Sequence, residues 1–478
     1  MTDLTLPRPP TAPAPPRPKS RGGGLFRAVW RWHFFAAFLV VPVLLLLATT
    51  GLIYLFRFQL EPLMHADLMT VDVPADPNQA IVQPYVSQQA LVIQEFPGAE
   101  VVSMTEPKDA ETPTVFSIVT EDGEGRDVYV SPYGPELLGS LNPDTTLSGR
   151  AVRLHGELMA GPRGDYVIEL GACWAVVMAV TGYYLFIRGW RARRRARRAG
   201  ARGAALRSRH GLVGAFVGVG LLGLLLTGLP WTGFWGAKVQ TLATDHGSSL
   251  WSTDPGAVSH PTSTLDESLP HSHKTDVPWA LGDSEVPRSE QPESGERNVA
   301  NVDTAVEVAG REGLRHPMTV ALPSDSDDGG VFSVIGYAFD APTDERTVHV
   351  DRYGGQVVST YGFDDYPLLA KVVSAGIGLH EGRSLGLFSF WLSALMCLGV
   401  IAMCVTGPLM WWRRRPRGRQ VGAPRGRMPL RATPALVVLL VGLGLFLPLF
   451  GASLVVVLLL DQLVLRRVPA LGRFFATT

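Results

Sequence analysis

Long apolar stretches alternate with long polar ones along the 478-residue chain. Four apolar runs, 34–56, 167–187, 212–235 and 385–412, are each long enough for the ~30 Å hydrocarbon core of a bilayer, which takes about 20 helical residues. A fifth run, 432–460, is too long for one upright span. Pro448 and Gly451 interrupt it, and Arg431 and Arg466-Arg467 flank it. It predicts a hairpin of two short helices, making six spans in all.

Charge orients these spans. Formal net charge is zero, with 43 basic and 43 acidic residues, so the total implies no polyanion partner. The arginines, however, crowd beside the apolar runs: Arg27 and Arg31 before the first, RGWRARRRARRAGARGAALRSR between the second and third, and RRRPRGR after the fourth. By the positive-inside rule these segments are cytoplasmic, and their place beside spans argues against nucleic-acid binding. The expected order starts with a disordered, proline-rich cytoplasmic tail (1–24), a first span (25–57), an extracytoplasmic domain (58–165) and a second span (166–188). An arginine-rich loop (189–209), a third span (210–236), a second extracytoplasmic domain (237–384) and a fourth span (385–412) follow. Another arginine-rich loop (413–431), the hairpin (432–465) and a cytoplasmic tail (466–478) complete it. The first apolar run lacks a small-x-small cleavage site and reads as a retained anchor. The chain is therefore expected in the cytoplasmic membrane, N-terminus inside.

The chain is also an internal duplication. His33 precedes Thr50-Gly51 as His210 precedes Thr227-Gly228, each histidine 18 residues before its glycine. His155 precedes Thr181-Gly182 as His380 precedes Thr406-Gly407, 27 residues in both. Gly161 and Gly386 each follow their histidine by six. DVYVSPYGPELLGSL matches TVHVDRYGGQVVSTY, each a strand, a turn at Tyr-Gly and a second strand. Helical patterns precede them, AIVQPYVSQQALVIQEF and VDTAVEVAGREGL. The fold class is thus an all-α membrane core, a four-helix bundle from a duplicated two-helix unit plus the hairpin, with two α+β extracytoplasmic domains. The excess in the second domain, 244–297, is rich in Ser, Pro, Asp and Glu and reads as a disordered insertion.

Topology places His33 and His210 at the cytoplasmic ends of spans one and three, and His155 and His380 at the outer interface. An unbroken helix would put the latter about 40 Å from their Thr-Gly pairs. This makes one pair per leaflet. Two imidazoles from facing helices can ligate haem iron axially, and ionisable residues at spans are functional candidates. Polar residues also settle at interfaces with no further role, but four at duplicated offsets favour ligation.

Other signals are weaker. Cys173, Cys397 and Cys404 lie in apolar runs and read as packing residues. Gly218, Gly220 and Gly223 match GxGxxG inside a span, where with Gly214 they form a small-residue packing face and no nucleotide site. Glu169 reads as water-facing at the interface, with proton transfer or orientation of His155 as alternatives. Trp32, Trp190, Trp411 and Trp412 fit an aromatic belt. His271 and His273 read as solvated.

The motifs RWHFFAAFLVVPVLLLLATTGLIYLF, LHGELMAGPRGDYVIELGACWAVVMAVTGYYLF, RHGLVGAFVGVGLLGLLLTGLPWTGFWG and LHEGRSLGLFSFWLSALMCLGVIAMCVTGPLMWWRRRP resemble the PepSY-associated transmembrane family over roughly residues 25–418. The outer segments then resemble PepSY domains. Some members are di-haem reductases of ferric siderophores, which implies two haems b with His33, His155, His210 and His380 as iron ligands. Pairing His33 with His210 and His155 with His380 follows from topology. The insertion 244–297 and the hairpin depart from the simplest members. The resemblance implies a di-haem electron-transfer protein with an extracytoplasmic acceptor such as a ferric siderophore. With no flavin or nicotinamide domain in the chain, the donor is a separate reductase or a quinol. Two other readings stay open: a non-enzymatic PepSY protein that binds peptides or regulates a peptidase, and metal transport through the histidines. The latter lacks intramembrane Asp, Glu or Met clusters.

Overall fold

The computed structural model describes residues 22–134, 136–250, 252, 264–265, 281–290, 300–336, 341–415, 421 and 434–475. The first repeat opens with α1 (Gly22–Leu55) and the short α2 (Arg57–Met64). It continues through α3 (Tyr85–Glu95) and strands β1 (Glu100–Thr105), β2 (Thr114–Val119), β3 (Gly125–Ser131) and β4 (Glu136–Leu141). It closes with α4 (Leu147–Glu157) and α5 (Pro162–Arg198). The second repeat has α6 (Ala204–Gly228), α7 (Trp235–Asp245), α8 (Val302–Arg311), strands β5 (Thr319–Ala321), β6 (Val331–Ile335), β7 (Arg346–Asp351) and β8 (Val357–Gly362), then α9 (Leu368–Glu381) and α10 (Leu387–Arg414). The hairpin is α11 (Pro434–Phe446) and α12 (Pro448–Leu460).

Among the described residues, five helices are long and apolar enough to cross a membrane: Gly24–Leu55, Pro162–Arg198, Ala204–Trp231, Leu387–Arg414 and Pro448–Leu465, with the shorter apolar Leu436–Phe446 beside the last. This is a membrane protein with a helical core. α1, α5, α6 and α10 close a ring, α1 against α5 and α10, and α6 against the same two, so α1 and α6 face each other across it. Three of the four glycines expected on the packing face of α6 pack closely. A Cβ on Gly214 would lie 2.7 Å from Met403 Cε and one on Gly220 2.3 Å from Met396 Sδ, both of α10, and one on Gly218 2.8 Å from the Tyr183 hydroxyl of α5. A Cβ on Gly223 would meet nothing within 4 Å. Pro448 opens α12, where its missing N–H costs nothing. The hairpin crosses itself closely at Gly444 and Gly451, whose added Cβ would sit 2.5 Å from the Gly444 carbonyl. Trp174 of α5 donates to Ser453 Oγ at 3.0 Å, and Trp235 of α7 donates to the Phe446 carbonyl at 2.9 Å.

The structure changes several readings from the sequence. No unbroken helix links His155 or His380 to its span. α4 ends at Glu157 and α9 at Glu381, and α5 and α10 start only after Gly161 and Gly386. Both glycines hold the same backbone, φ 58° and 54° with ψ −146° and −141°, a region that side chains disfavour, so the same break recurs in both repeats. The loop expected at 189–209 is also largely helix. α5 runs to Arg198, because Arg and Ala favour helix and the charged end needs no lipid.

The polar segments do not make two separate sheets. The eight strands of the described residues form one sheet in the order β4-β3-β2-β1-β5-β6-β7-β8. β1 pairs antiparallel with β5, aligning Met104 with Val320 and Thr105 with Thr319. The repeats show in matching bulges, at Tyr129/Val130 and at His349/Val350. α3 and α8 pack on the same core, which buries Val92, Met104, Phe116, Val128, Ala305, Val320, Val334 and Val350. Polar links cross between the halves. Asp303 of α8 accepts from the Tyr85 and Val86 N–H groups that open α3, at 2.8 and 2.9 Å. Buried Glu106 accepts from Tyr85 Oη, His316 Nδ1 and Met318 N at 2.9, 2.7 and 2.8 Å. Described pieces of 244–297 pack as well: Leu265, Leu281 and Val286 join Tyr361, Tyr366 and Ala370 in a small core. The rest of that stretch, with His271 and His273, lies outside the described residues.

Candidate functional site: two histidine pairs at the ends of the bundle

The break before each span sets where its histidine goes. α4 folds back so that His155 Nδ1 lies 2.9 Å from Thr50 Oγ1 near the end of α1. By the same turn His380 Nδ1 of α9 lies 3.1 Å from Thr227 Oγ1 of α6. At the other end, His33 Nδ1 of α1 lies 3.1 Å from Thr181 Oγ1 of α5 and 3.0 Å from the Met178 carbonyl. His210 Nδ1 of α6 lies 2.8 Å from Thr406 Oγ1 of α10. The Thr-Gly pairs that mark the duplication are therefore the partners of the histidines. Only the identical spacings hinted at this, since hydrogen bonds between helices leave no local pattern.

The glycine of each pair has its own task. A Cβ there would lie 3.2–3.8 Å from the imidazole Cε1: 3.2 Å at Gly228, 3.3 Å at Gly182, 3.5 Å at Gly51 and 3.8 Å at Gly407. Threonine holds the ring, and glycine lets it lie flat against the helix.

The hydroxyls favour one tautomer. Each threonine donates to a carbonyl four residues back in its own helix: Thr50 to Leu46 at 2.9 Å, Thr181 to Val177 at 2.7 Å, Thr227 to Gly223 at 2.9 Å and Thr406 to Ala402 at 2.8 Å. A hydroxyl that spends its proton there accepts from an imidazole Nδ1–H, and at His33 the Met178 carbonyl, which can only accept, calls for the same proton. These contacts favour the proton on Nδ1, which leaves the lone pair on Nε2. A ligating histidine needs this arrangement, with its second nitrogen donating to a fixed acceptor.

His155 and His380 meet, ring centres 6.3 Å apart and planes at 89°. Two imidazoles bound to one iron through Nε2 at about 2 Å each have centres roughly 6 Å apart, so this spacing suits bis-histidine haem ligation. His33 and His210 lie near enough to each other for their charges to interact. Both pairs bridge the same diagonal, α1 to α6. Along α1, 17 residues separate His33 from Thr50, about 25 Å of helix.

The surroundings differ. On the sheet side Trp231 lies against His380, ring centres 5.8 Å apart at 34°. α9 is clamped by Glu345 from the loop before β7, which accepts from Ser374 Oγ at 2.9 Å and Arg383 at 2.9 Å. The side chains of Glu345 and Arg383 are only 3% and 11% exposed. Burial pushes the Glu345 carboxyl above its ordinary value of 4.5, and the Arg383 charge offsets this only in part. α4 is tied at its N-terminus, where buried Glu61 of α2 accepts from Ser148 N at 2.6 Å. The spacing of histidines and glycines carries no trace of Trp231, Glu345 or Glu61.

Glu169 is not water-facing but fully buried. It accepts from the Phe234 and Trp235 N–H groups at 3.2 and 3.1 Å, capping α7, and makes no bond to His155. Cys173 and Cys404 are buried and Cys397 partly so, all three as free thiols. Among the described residues, no cluster of three or more His, Cys, Asp or Glu could hold a bare metal ion.

The molecule is thus a duplicated helical membrane protein with a histidine pair at each end of its bundle and a continuous sheet domain over one end. Residues 30–414 match the family described as the PepSY-associated TM region, and the chain belongs to that family. No curated protein matches the chain.

Proposed function

We propose that the protein is a di-haem b electron-transfer protein of the cytoplasmic membrane, with the sheet domain on the extracytoplasmic face. The observation that carries this reading is the arrangement of four imidazoles in two pairs, each with Nδ1 at 2.8–3.1 Å from a threonine hydroxyl, which leaves Nε2 to serve as a ligand. His33 and His210 would hold one haem, and His155 and His380 the other. Bound there, the haems would supply one-electron redox chemistry at each face of the bilayer. The chain's own part is to fix the rings, keep their lone pairs inward and line the space between α1 and α6 with apolar side chains. The ~25 Å between the pairs approaches the ~30 Å core, so the two sites would divide the crossing between them. Electrons would come from a quinol or a separate reductase. The acceptor would be an extracytoplasmic ferric chelate such as a ferric siderophore, each iron taking one electron to become ferrous and loosening its hard oxygen ligands.

The test is a reduced-minus-oxidised absorption spectrum of the detergent-purified protein with pyridine haemochrome quantitation. The expected result is about two b-type haems per chain, falling by about one in His33→Ala and in His380→Ala. Well-folded protein without haem after haem-replete expression would overturn the reading and favour a peptide- or peptidase-binding sheet domain.

A further inference from the structure

Arg207 opens the arginine end of α6 three residues before His210, one turn away and on the same helix face. Its Nε is buried and has no hydrogen-bond partner. A buried charged donor without a partner is costly, so such a group marks the place of an acceptor. Arg414, at the end of α10, lies close enough for the two positive charges to repel. α6 and α10 pack together, which keeps the half-buried Arg207 and the exposed Arg414 on neighbouring helices at the same end of the bundle.

The sequence offers little to neutralise them. No Asp or Glu occurs in 170–244, which covers most of α5 and all of α6, or in 382–460, which covers α10. None occurs in 4–60 either, which covers α1. Asp461, just beyond α12, is taken by Arg466 at 2.7 Å. Two adjacent guanidiniums without a carboxylate of their own are the usual receptor for an external planar anion, which arginine binds through two parallel N–H bonds.

We infer that Arg207 and Arg414 form a carboxylate site for the propionates of the porphyrin held by His33 and His210. The inference deepens the di-haem reading and rests on it. A porphyrin held by His33 and His210 would have Arg207 one helical turn from the His210 ring to receive a carboxylate. A phospholipid phosphate has the same anionic chemistry, but it would approach from the lipid face.

The experiment is a Soret titration of detergent-solubilised full-length apoprotein with protohaem and with protohaem dimethyl ester, whose propionates carry no charge. It is run on the His380→Ala chain, so that only the arginine-side pair offers two ligands, and repeated with His380 intact. The expected result is about tenfold tighter binding of protohaem than of its ester, a preference lost in Arg207→Gln/Arg414→Gln and partly kept in Arg207→Lys. Equal binding of both porphyrins overturns the carboxylate site while leaving the di-haem reading standing. If an anionic phospholipid then raises thermal stability in an Arg207-dependent way, the site belongs to lipid phosphate. Binding of neither porphyrin to a folded chain overturns the reading beneath it as well. The comparison of porphyrins on one chain does not depend on any arginine variant folding.

Discussion

The two histidine pairs share one chemistry and differ in what supports them. At both ends each Nδ1 lies within hydrogen-bond distance of a threonine one residue ahead of a glycine, and the pair bridges α1 and α6. On the arginine side the rings grow directly from these helices, and two guanidiniums stand near them without a bond between them. On the sheet side the rings sit on α4 and α9, short helices held by Glu61 and by the Glu345–Arg383 pair. Trp231 flanks one of them. A change in the sheet domain can therefore reach the sheet-side pair through Glu345, whereas among the described residues no strand or strand-connecting loop makes such a bond to the arginine-side histidines. Duplication preserved the histidine–threonine geometry and left each end free to acquire its own surroundings.

Removing a ring breaks the comparison most completely. His380→Ala is expected to abolish the sheet-side site and leave the arginine-side spectrum intact, with His210→Ala doing the reverse. Low-spin EPR signals of the two variants would check this, and loss of both signals in either one would show that the sites are not independent. Next come the threonines. Thr227→Val and Thr406→Val remove the acceptor of one Nδ1–H each, and losses of that kind weaken metal ligation by about 10–100-fold. Haem retention during dilution should fall at the matching end only.

Glu345→Gln should separate the two ends further. It leaves buried Arg383 with Glu381 as its remaining carboxylate, a loss of about 2–3 kcal/mol for a partly compensated buried pair. The thermal midpoint should drop, and the sheet-side haem should be lost first; equal loss at both ends would sink the proposed coupling. The glycines grade more finely. Gly228→Ala brings a methyl to 3.2 Å of the His380 ring and should shift the potential of that site, whereas Gly407→Ala, at 3.8 Å from His210, should change little. A redox titration of the two variants tests that order.

The smallest effect is in pH. The folded Glu345 carboxyl titrates above its ordinary value of 4.5, so the folded chain holds an extra proton between the two values. Stability from this group is full below 4.5 and declines as pH rises through the raised value. The difference in thermal midpoint between the native chain and Glu345→Gln should therefore change across that window and level off above it.

Residue spacing alone was enough for the duplication, the four long spans, the hairpin break at Pro448 and the recurrence of four histidines at matched offsets. These depend on local regularities: apolar run length, arginine clusters, and offsets repeated because one unit was copied. The helix–strand–turn–strand pattern of each polar segment was equally legible. The remaining features depend on contacts between distant residues. Joining of the two halves through β1 and β5 needs complementary edges that no single segment reveals. The folded-back α4 and α9 turn on backbone angles at Gly161 and Gly386, where an unbroken helix was the simpler reading of the same residues. Thr50, Thr181, Thr227 and Thr406 became partners of the rings only when helices more than a hundred residues apart were packed together. Glu169 shows the same limit: a carboxylate near a membrane edge reads as solvated until a neighbouring helix brings the N–H groups of Phe234 and Trp235 to it. Local pattern decides which residues can form an element, and packing decides which of their atoms meet.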